Sequence, residues 1–295
     1  MTSRQNYNPL NDYLFKFVFG REERKRITLS FLNAILEREG TDELTDITFI
    51  DRAFDPEFEE DKLSQLDIYG ITSDGSQVNI EVQLINRHNM QKRTLYYWAR
   101  MYQTLRKGEE YQDLRRSITI NLLNFHLLPQ ENPHAMYGLY DIQSRHRLTD
   151  SLEIHFLEIP KFKIKSVKEM KRLEKWLAYF SNKLNEQETE ELAMSEAAIR
   201  EAIQAEQIFM QSDVERWQYE QREKALRDYL SELSATRAEG RAEGRAEGRA
   251  EGAEEMLLQS LRNLIQELSL SPERAMNVLH IPPAEKAHYL RLLKE

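Results

Sequence analysis

The sequence predicts an α/β domain followed by an all-helical C-terminal region, and three observations lead there. Helical and strand-like periodicities alternate up to about residue 165, with nearly all of the turn chemistry and the β-branched runs. Beyond that point Glu, Gln, Arg, Ala and Leu dominate and strand signals almost vanish. The length, 295 residues, suffices for one substantial core plus a helical appendage, since domains commonly run to roughly 100–200 residues.

In chain order, the periodicity predicts a helix over 9–36 with a break at Gly20, a strand over 45–52 and a hairpin over 65–84. A long helix over 89–107 follows, then strands over 117–124 and 152–159, giving α-β-β-β-α-β with one further strand. The domain boundary falls between Lys161 and Val167. Residues 1–165 are read as the α/β domain, 166–236 as a helical extension, 237–252 as a repeat, and 253–295 as a small helical module.

Composition narrows the function classes. Lys and Arg total 41 against 50 Asp and Glu, a net charge of −9, so nucleic-acid affinity must come from a local basic face. The absence of cysteine excludes a disulfide framework and a thiolate zinc site. No apolar run approaches the roughly 20 residues of a membrane span, and residues 1–10 lack the apolar segment of a secretion signal. The expectation is a soluble, cytoplasmic protein with no membrane partner. The seven histidines, His88, His126, His134, His146, His155, His280 and His288, show no metal-ligand spacing, and there is no GxxxxGK[ST] loop. These absences argue against a zinc hydrolase or an ATPase.

The hairpin carries the candidate chemistry. Ser73-Asp74-Gly75 fits a three-residue loop, a type I turn closed by a left-handed glycine, which pairs Thr72 with Ser76. Counting back sets Asp67 opposite Glu81. Val78, Ile80, Val82 and Leu84 alternate with Asn79, Glu81 and Gln83, so the two carboxylates lie on the polar face of adjacent strands. Facing like charges repel unless something offsets them, and a divalent cation with oxygen ligands is the usual agent. Two solvated residues on an exposed sheet face are the plainer reading.

Gln65-Leu-Asp-Ile-Tyr-Gly-Ile, the Asp74-Gly75 turn and Asn79-Ile-Glu-Val-Gln83 resemble the active-site hairpin of the Rpn family of recombination-promoting nucleases. These are also catalogued as PD-(D/E)XK nuclease family transposases. Asn11-Asp12-Tyr-Leu-Phe-Lys16 through Gly20, Phe31 to Leu36, Arg93 to Trp98, and Gly108 to Tyr111 resemble further family blocks in the expected order, together covering about the first half of the chain.

The resemblance implies a restriction-endonuclease-like PD-(D/E)XK core, a mixed sheet flanked by helices. It also implies a Mg²⁺-dependent DNA endonuclease associated with recombination, mobile elements or phage defence. Asp67 and Glu81 would be the metal ligands, and Asp12 matches a position where relatives place an acidic residue near the metal. Asp12 reads equally well as a helix-dipole carboxylate after Pro9. Gln83 stands where the superfamily usually has Lys; an amide orients water and donates hydrogen bonds but carries no charge. The alternative function is a weakly active or inactive nuclease-fold protein that binds DNA as the accessory of a mobile element.

Arg93 opens the helix after the hairpin and is the candidate for the missing charge. Arg93, Tyr97 and Arg100 recur at i, i+4 and i+7, a face that is either solvated or phosphate-contacting, with Lys92, Arg106 and Lys107 nearby. Leu95, Trp98, Tyr102 and Leu105 form a separate stripe, read as core.

In the helical extension, Trp176, Leu177, Phe180 and Leu184 make one apolar stripe, and Ile199, Ile203 and Phe209 hint at another. Residues 237–252 repeat Arg-Ala-Glu-Gly four times without error. Each Gly costs about 1 kcal/mol in a helix relative to Ala, and like charges recur at i, i+4, so a weak helix or flexible linker is expected. Past it, residues 254–268 are amphipathic, Ser271-Pro272-Glu273 reads as a helix start, and Pro282-Pro283 opens a last helix ending near Leu293. So short a module buries little by itself, which points to a homo-oligomer. Relatives can express their C-terminal segment from an internal start as a restraint on the full-length protein. Met256 stands where such a start would fall, although a core methionine is the plainer reading.

Overall fold

The structure, a computed structural model, describes residues 7–50, 67–103 and 108–294. The expected end of the first strand at 51–52, the start of the hairpin at 65–66, and Leu105, Arg106 and Lys107 lie outside the described residues. The chain divides into two compact units, Met1–Lys224 and Ala225–Glu295.

The first unit opens with α1 (Asp12–Phe19) and α2 (Lys25–Ile35). The break between them falls at Gly20, which caps α1 by donating its N–H to the Lys16 carbonyl at 2.9 Å. A Cβ at Gly20 would stand 2.9 Å from that same oxygen, so a larger residue would disturb the cap. Asn11 caps the other end, its side chain accepting from the N–H groups of Tyr13 and Leu14.

The strands β1 (Ile47–Phe49), β2 (Ile68–Thr72) and β3 (Gln77–Gln83) form an antiparallel meander. Then α3 (Met90–Tyr102) crosses over to β4 (Ser117–Leu123), which runs parallel to β3. Strands β5 (His134–Tyr140) and β6 (Arg147–Glu158) form a hairpin in which β6 joins β4 in parallel and β5 takes the edge. Among the described residues the sheet is six-stranded and mixed, in the order β1-β2-β3-β4-β6-β5, as expected of the fold class.

Strand β5 and the outer half of β6 escape the periodicity reading. Burial along β5 is irregular, with Met136, Tyr137, Leu139 and Tyr140 exposed, while the outer half of β6 alternates in burial but sets Arg147, Thr149 and Ser151 inward and Leu148 outward, so no hydrophobic alternation marks either. Pairing instead holds the edge, helped by the His134 and His155 rings, whose Nε2 and Nδ1 atoms lie 2.9 Å apart.

One face of the sheet is oily. Val78, Ile80, Val82, Ile118, Ile120 and Leu122 pack against α1 and α2 and then against α4 (Arg172–Ser181), α5 (Glu186–Ser195) and α6 (Ala197–Gln211). Phe19, Phe31, Trp176 and Phe180 form the centre, with ring centroids 5.2–5.6 Å apart for Phe31–Phe180 and Phe31–Trp176. Both apolar stripes of the helical extension are therefore spent inside the same core as the α/β part. Fully burying each such side chain is worth about 1.5–3 kcal/mol.

The helix α7 (Asp213–Leu268) gives its first turns to this unit, where Tyr219 and Glu223 bond to Asn8 and Asn11 at 2.9 Å. In the second unit, the rest of α7 packs with α8 (Pro272–Val278) and α9 (Lys286–Leu292) around Leu261, Met276, Ile281 and Tyr289. Ser271 caps α8 with Pro272 at its first position, as the sequence predicts. Met256 is 70% exposed, so it does not belong to this small core.

The Arg-Ala-Glu-Gly repeat is helical and fully exposed. Three of its four residue types are good helix formers, which offsets the glycine cost within a long helix that needs no new nucleus. Apart from the local helix backbone, no atom among the described residues lies within 4 Å of where a Cβ would stand on Gly240, Gly244, Gly248 or Gly252. Replacing all four by Ala is therefore expected to strengthen the local helix by about 1 kcal/mol per site. Hydrogen exchange should slow across 237–252 while the melting of the first unit stays unchanged; unaltered exchange would show that the glycines do not limit helix opening.

Candidate functional site

The hairpin register is the one counted from its turn. Ile68 pairs with Ile80 and Tyr69 with Asn79, so one further step along the ladder sets Asp67 against Glu81. Gly75, at φ 81°, donates to the Thr72 carbonyl at 2.8 Å, and Thr72 donates to the Ser76 carbonyl at 2.9 Å. Asp74 fastens the tip. Although burial raises its pKa, hydrogen bonds from Thr72, Ser76 and Arg38 prevail and hold the carboxyl well below the usual range.

The polar face of β3 is buried beneath α3 and not solvated. Asn79 and Glu81 are 0% and 1% exposed, and Thr119 and Asn121 continue the polar layer on β4. This layer also corrects the reading of α3. The helix buries Met90, Thr94, Tyr97 and Met101, whereas Leu95 is 52% exposed and Trp98 is only partly buried. The reason is chemical: a polar sheet face selects Thr94, whose hydroxyl donates to Asn121 at 3.0 Å, over a leucine. Tyr97 is correspondingly displaced from the proposed phosphate face into the interior, and the Arg93 guanidinium lies 5.3 Å from its ring centroid.

Around the carboxylates the geometry is tight. Asp67 Oδ2 accepts from the Val82 N–H at 2.6 Å, and Lys16 Nζ stands 3.8 Å from Oδ1. Glu81 Oε2 accepts from Arg93 at 3.0 Å and from the Gln83 amide at 3.4 Å, while Oε1 is buried with no hydrogen-bond partner among the described residues. Arg93 Nε is likewise buried and unpartnered among the described residues, and the Asn79 amide makes no hydrogen bond of normal geometry there, although it lies near enough to the Glu81 carboxylate to favour its ionised form. Asp12 lies in the first turn of α1, half exposed, 3.7 Å from Arg222, and close enough to Asp67 to disfavour its ionisation. Arg100 sits further along α3 near Tyr96, its guanidinium 5.9 Å from that ring. The structure thus brings Asp67, Glu81, Gln83 and Arg93 together with Asp12 beside them, and leaves Tyr97 beneath and Arg100 beyond. The sequence reading missed Lys16; it lies inside the quoted Asn11 to Gly20 block, but its reach across to β2 is tertiary.

Burial pushes the Asp67 carboxyl up to about 6, with the Val82 hydrogen bond and Lys16 opposing. Burial, then repulsion from Asp67, push the Glu81 carboxyl up to about 7 against the pull of Arg93. Two buried carboxylates that resist ionisation, one with an orphaned oxygen, are a donor set that a hard cation would satisfy. No three His, Cys, Asp or Glu side chains form a ready-made metal cluster among the described residues.

The family model described as PD-(D/E)XK nuclease family transposase matches residues 9–236, a span that includes the carboxylate pair and α4 to α6. No curated protein and no solved structure matches the chain. Among the described residues no helix is long and apolar enough to cross a membrane.

A pH-dependent stability follows for the metal-free protein. Because the folded pKa values are raised, Glu81 and Asp67 hold protons that the unfolded chain has already released, so their contribution is lost as pH rises through about 6 to 7. Glu81→Gln should be stabilised over the wild type by roughly 1–3 kcal/mol at about pH 8, with the difference shrinking towards about pH 5. Chemical denaturation in chelator at both pH values measures it. A variant that gains nothing at the higher pH would show that Glu81 is ionised without cost.

Proposed function

The chain belongs to the PD-(D/E)XK nuclease family transposases, and from that premise we propose that it is a Mg²⁺-dependent DNA endonuclease acting in recombination, mobile elements or phage defence. The observation that carries this reading is the Asp67/Glu81 pair, buried, mutually repelling and with Glu81 Oε1 unpartnered. Asp67 and Glu81 would hold the cation, with Asp12 within reach of the same site. When bound, Mg²⁺ or another divalent ion supplies Lewis-acid polarisation of the scissile phosphate and lowers the pKa of the attacking water.

The remaining work falls to the chain's own groups. Gln83, on the same strand face as Glu81, orients the water and donates to a phosphate oxygen. Arg93 holds Glu81 in place through one nitrogen and presents its exposed edge to the DNA backbone, joined along α3 by Lys92 and Arg100. This short basic face meets the polyanion even though the net charge is −9. The reaction is hydrolytic: water adds to phosphorus, one P–O ester bond breaks, and the released alkoxide takes a proton. The cytoplasm is the proposed compartment. A homo-oligomer, and a separately expressed fragment starting at Met256, are the proposed partners besides DNA.

Plasmid nicking with and without Mg²⁺ tests the reading. The wild type is expected to cleave only with a divalent ion, and Asp67→Ala or Glu81→Ala to abolish cleavage while melting cooperatively. Full cleavage by both variants, or cleavage in chelator, would remove the catalytic assignment. No cleavage by the wild type with any divalent ion would favour the accessory DNA-binding reading, which the neutral Gln83 permits. Gln83→Lys is expected to keep or raise activity by adding charge beside the phosphate. A loss as deep as that of Asp67→Ala would instead mean that the neutral amide is required.

A further inference from the structure

Phosphodiester hydrolysis concentrates negative charge on the phosphate in the transition state, and a cation aimed at that charge is a large contributor to rate. Gln83 supplies none. Among the described residues, two cations from outside the hairpin, Lys16 and Arg93, reach the carboxylate pair, and they are held differently. Arg93 is committed: one terminal nitrogen bonds Glu81 at 3.0 Å, Nε is buried, and the guanidinium packs near Tyr97. Lys16 is anchored at its root and loose at its tip. Its neighbours Leu14, Phe15, Phe17 and Val18 are buried, and its carbonyl is tied to Gly20, so the backbone is fixed. Its side chain is about one third exposed, and its ammonium stands 3.8 Å from Asp67 Oδ1, beyond hydrogen-bond range. A long stem ending in a compact, rotatable ammonium suits a group that must follow a moving charge.

We propose that Lys16, carried on α1, is a catalytic residue that contacts the scissile phosphate and supplies the positive charge absent from the strand at Gln83. This rests on the nuclease reading above. The site is thereby assembled from two elements far apart in the sequence: acids and amide from the hairpin, the ammonium from the first helix. Were Lys16 only a counter-ion for Asp67, removing it would leave cleavage nearly intact.

The test uses the full chain and four proteins: wild type, Lys16→Gln, Gln83→Lys, and the double variant. Lys16→Gln should lose roughly 10²–10³-fold in single-turnover cleavage, the range seen when one charge-stabilising group is removed. The double variant should recover at least about tenfold over Lys16→Gln, since charge returns from the strand. Calorimetric Mn²⁺ binding without DNA should hold or tighten in Lys16→Gln, because a repelling charge has left the carboxylates. Lys16→Met, which keeps the aliphatic stem, replaces the glutamine variant if that one melts early. Cleavage by Lys16→Gln within about threefold of wild type, no recovery in the double variant, or weakened Mn²⁺ binding would each overturn the assignment while leaving the nuclease reading in place. A wild type that cleaves nothing overturns both.

Discussion

Two carboxylates on adjacent strands, shut beneath a helix, repel each other and resist ionisation, and much of the first unit is arranged around that repulsion. Asp67 takes a backbone N–H from Val82, and Glu81 takes the Arg93 guanidinium. Neither arrangement saturates the oxygens. Lys16 approaches from α1 and Asp12 adds a further negative charge nearby, so the local balance is left open by construction. A buried pair optimised only for stability would be replaced by apolar residues of like volume at little cost. The polar layer makes the same point, since Thr119 and Asn79 have side-chain atoms without a well-formed hydrogen bond among the described residues.

That layer divides the sheet into two regimes. On one face, Val, Ile and Leu meet the aromatic cluster of α1, α2, α4 and α6, where burial supplies the stability. On the other, α3 is held through directional bonds such as Thr94 to Asn121, Gln77 to the Met101 carbonyl, and Trp98 to the Ser117 carbonyl. These bonds act beside a smaller apolar contact, in which Met90 and Trp98 of α3 pack with Leu123, Ile154 and Phe156. Most of the apolar burial thus lies on one face, and the unsatisfied polar groups of Asn79, Glu81, Arg93 and Thr119 lie on the other.

What the sequence makes legible follows from which forces are local. The turn at Ser73-Asp74-Gly75 sets the register through bonds between near neighbours, so the Asp67/Glu81 juxtaposition can be counted without coordinates. Gly20 and Ser271-Pro272 likewise announce a helix end and a helix start. The orientation of α3 was not legible, because hydrophobicity marks a helix's inner face only when the surface beneath it is apolar; here Tyr97 went in and Leu95 stayed out. Strand β5 lacked alternation because an edge strand is wet on more than one side. Lys16 was read as part of a family block but not as a site residue, since its partner lies fifty-one positions away on another element.

The hairpin tip has a reach beyond its own five residues. Strand side chains alternate with period two, so the length of the turn decides which set of residues on β3 looks toward α3. A residue inserted or deleted between Thr72 and Ser76 must be taken up within the turn, as a bulge for example, because the parallel ladder to β4 also fixes which side chains of β3 face α3. The tip acts as a ruler for the chemistry. A change of a single codon there, in a loop that contributes neither carboxylate, bears on whether Asp67 and Glu81 still face each other.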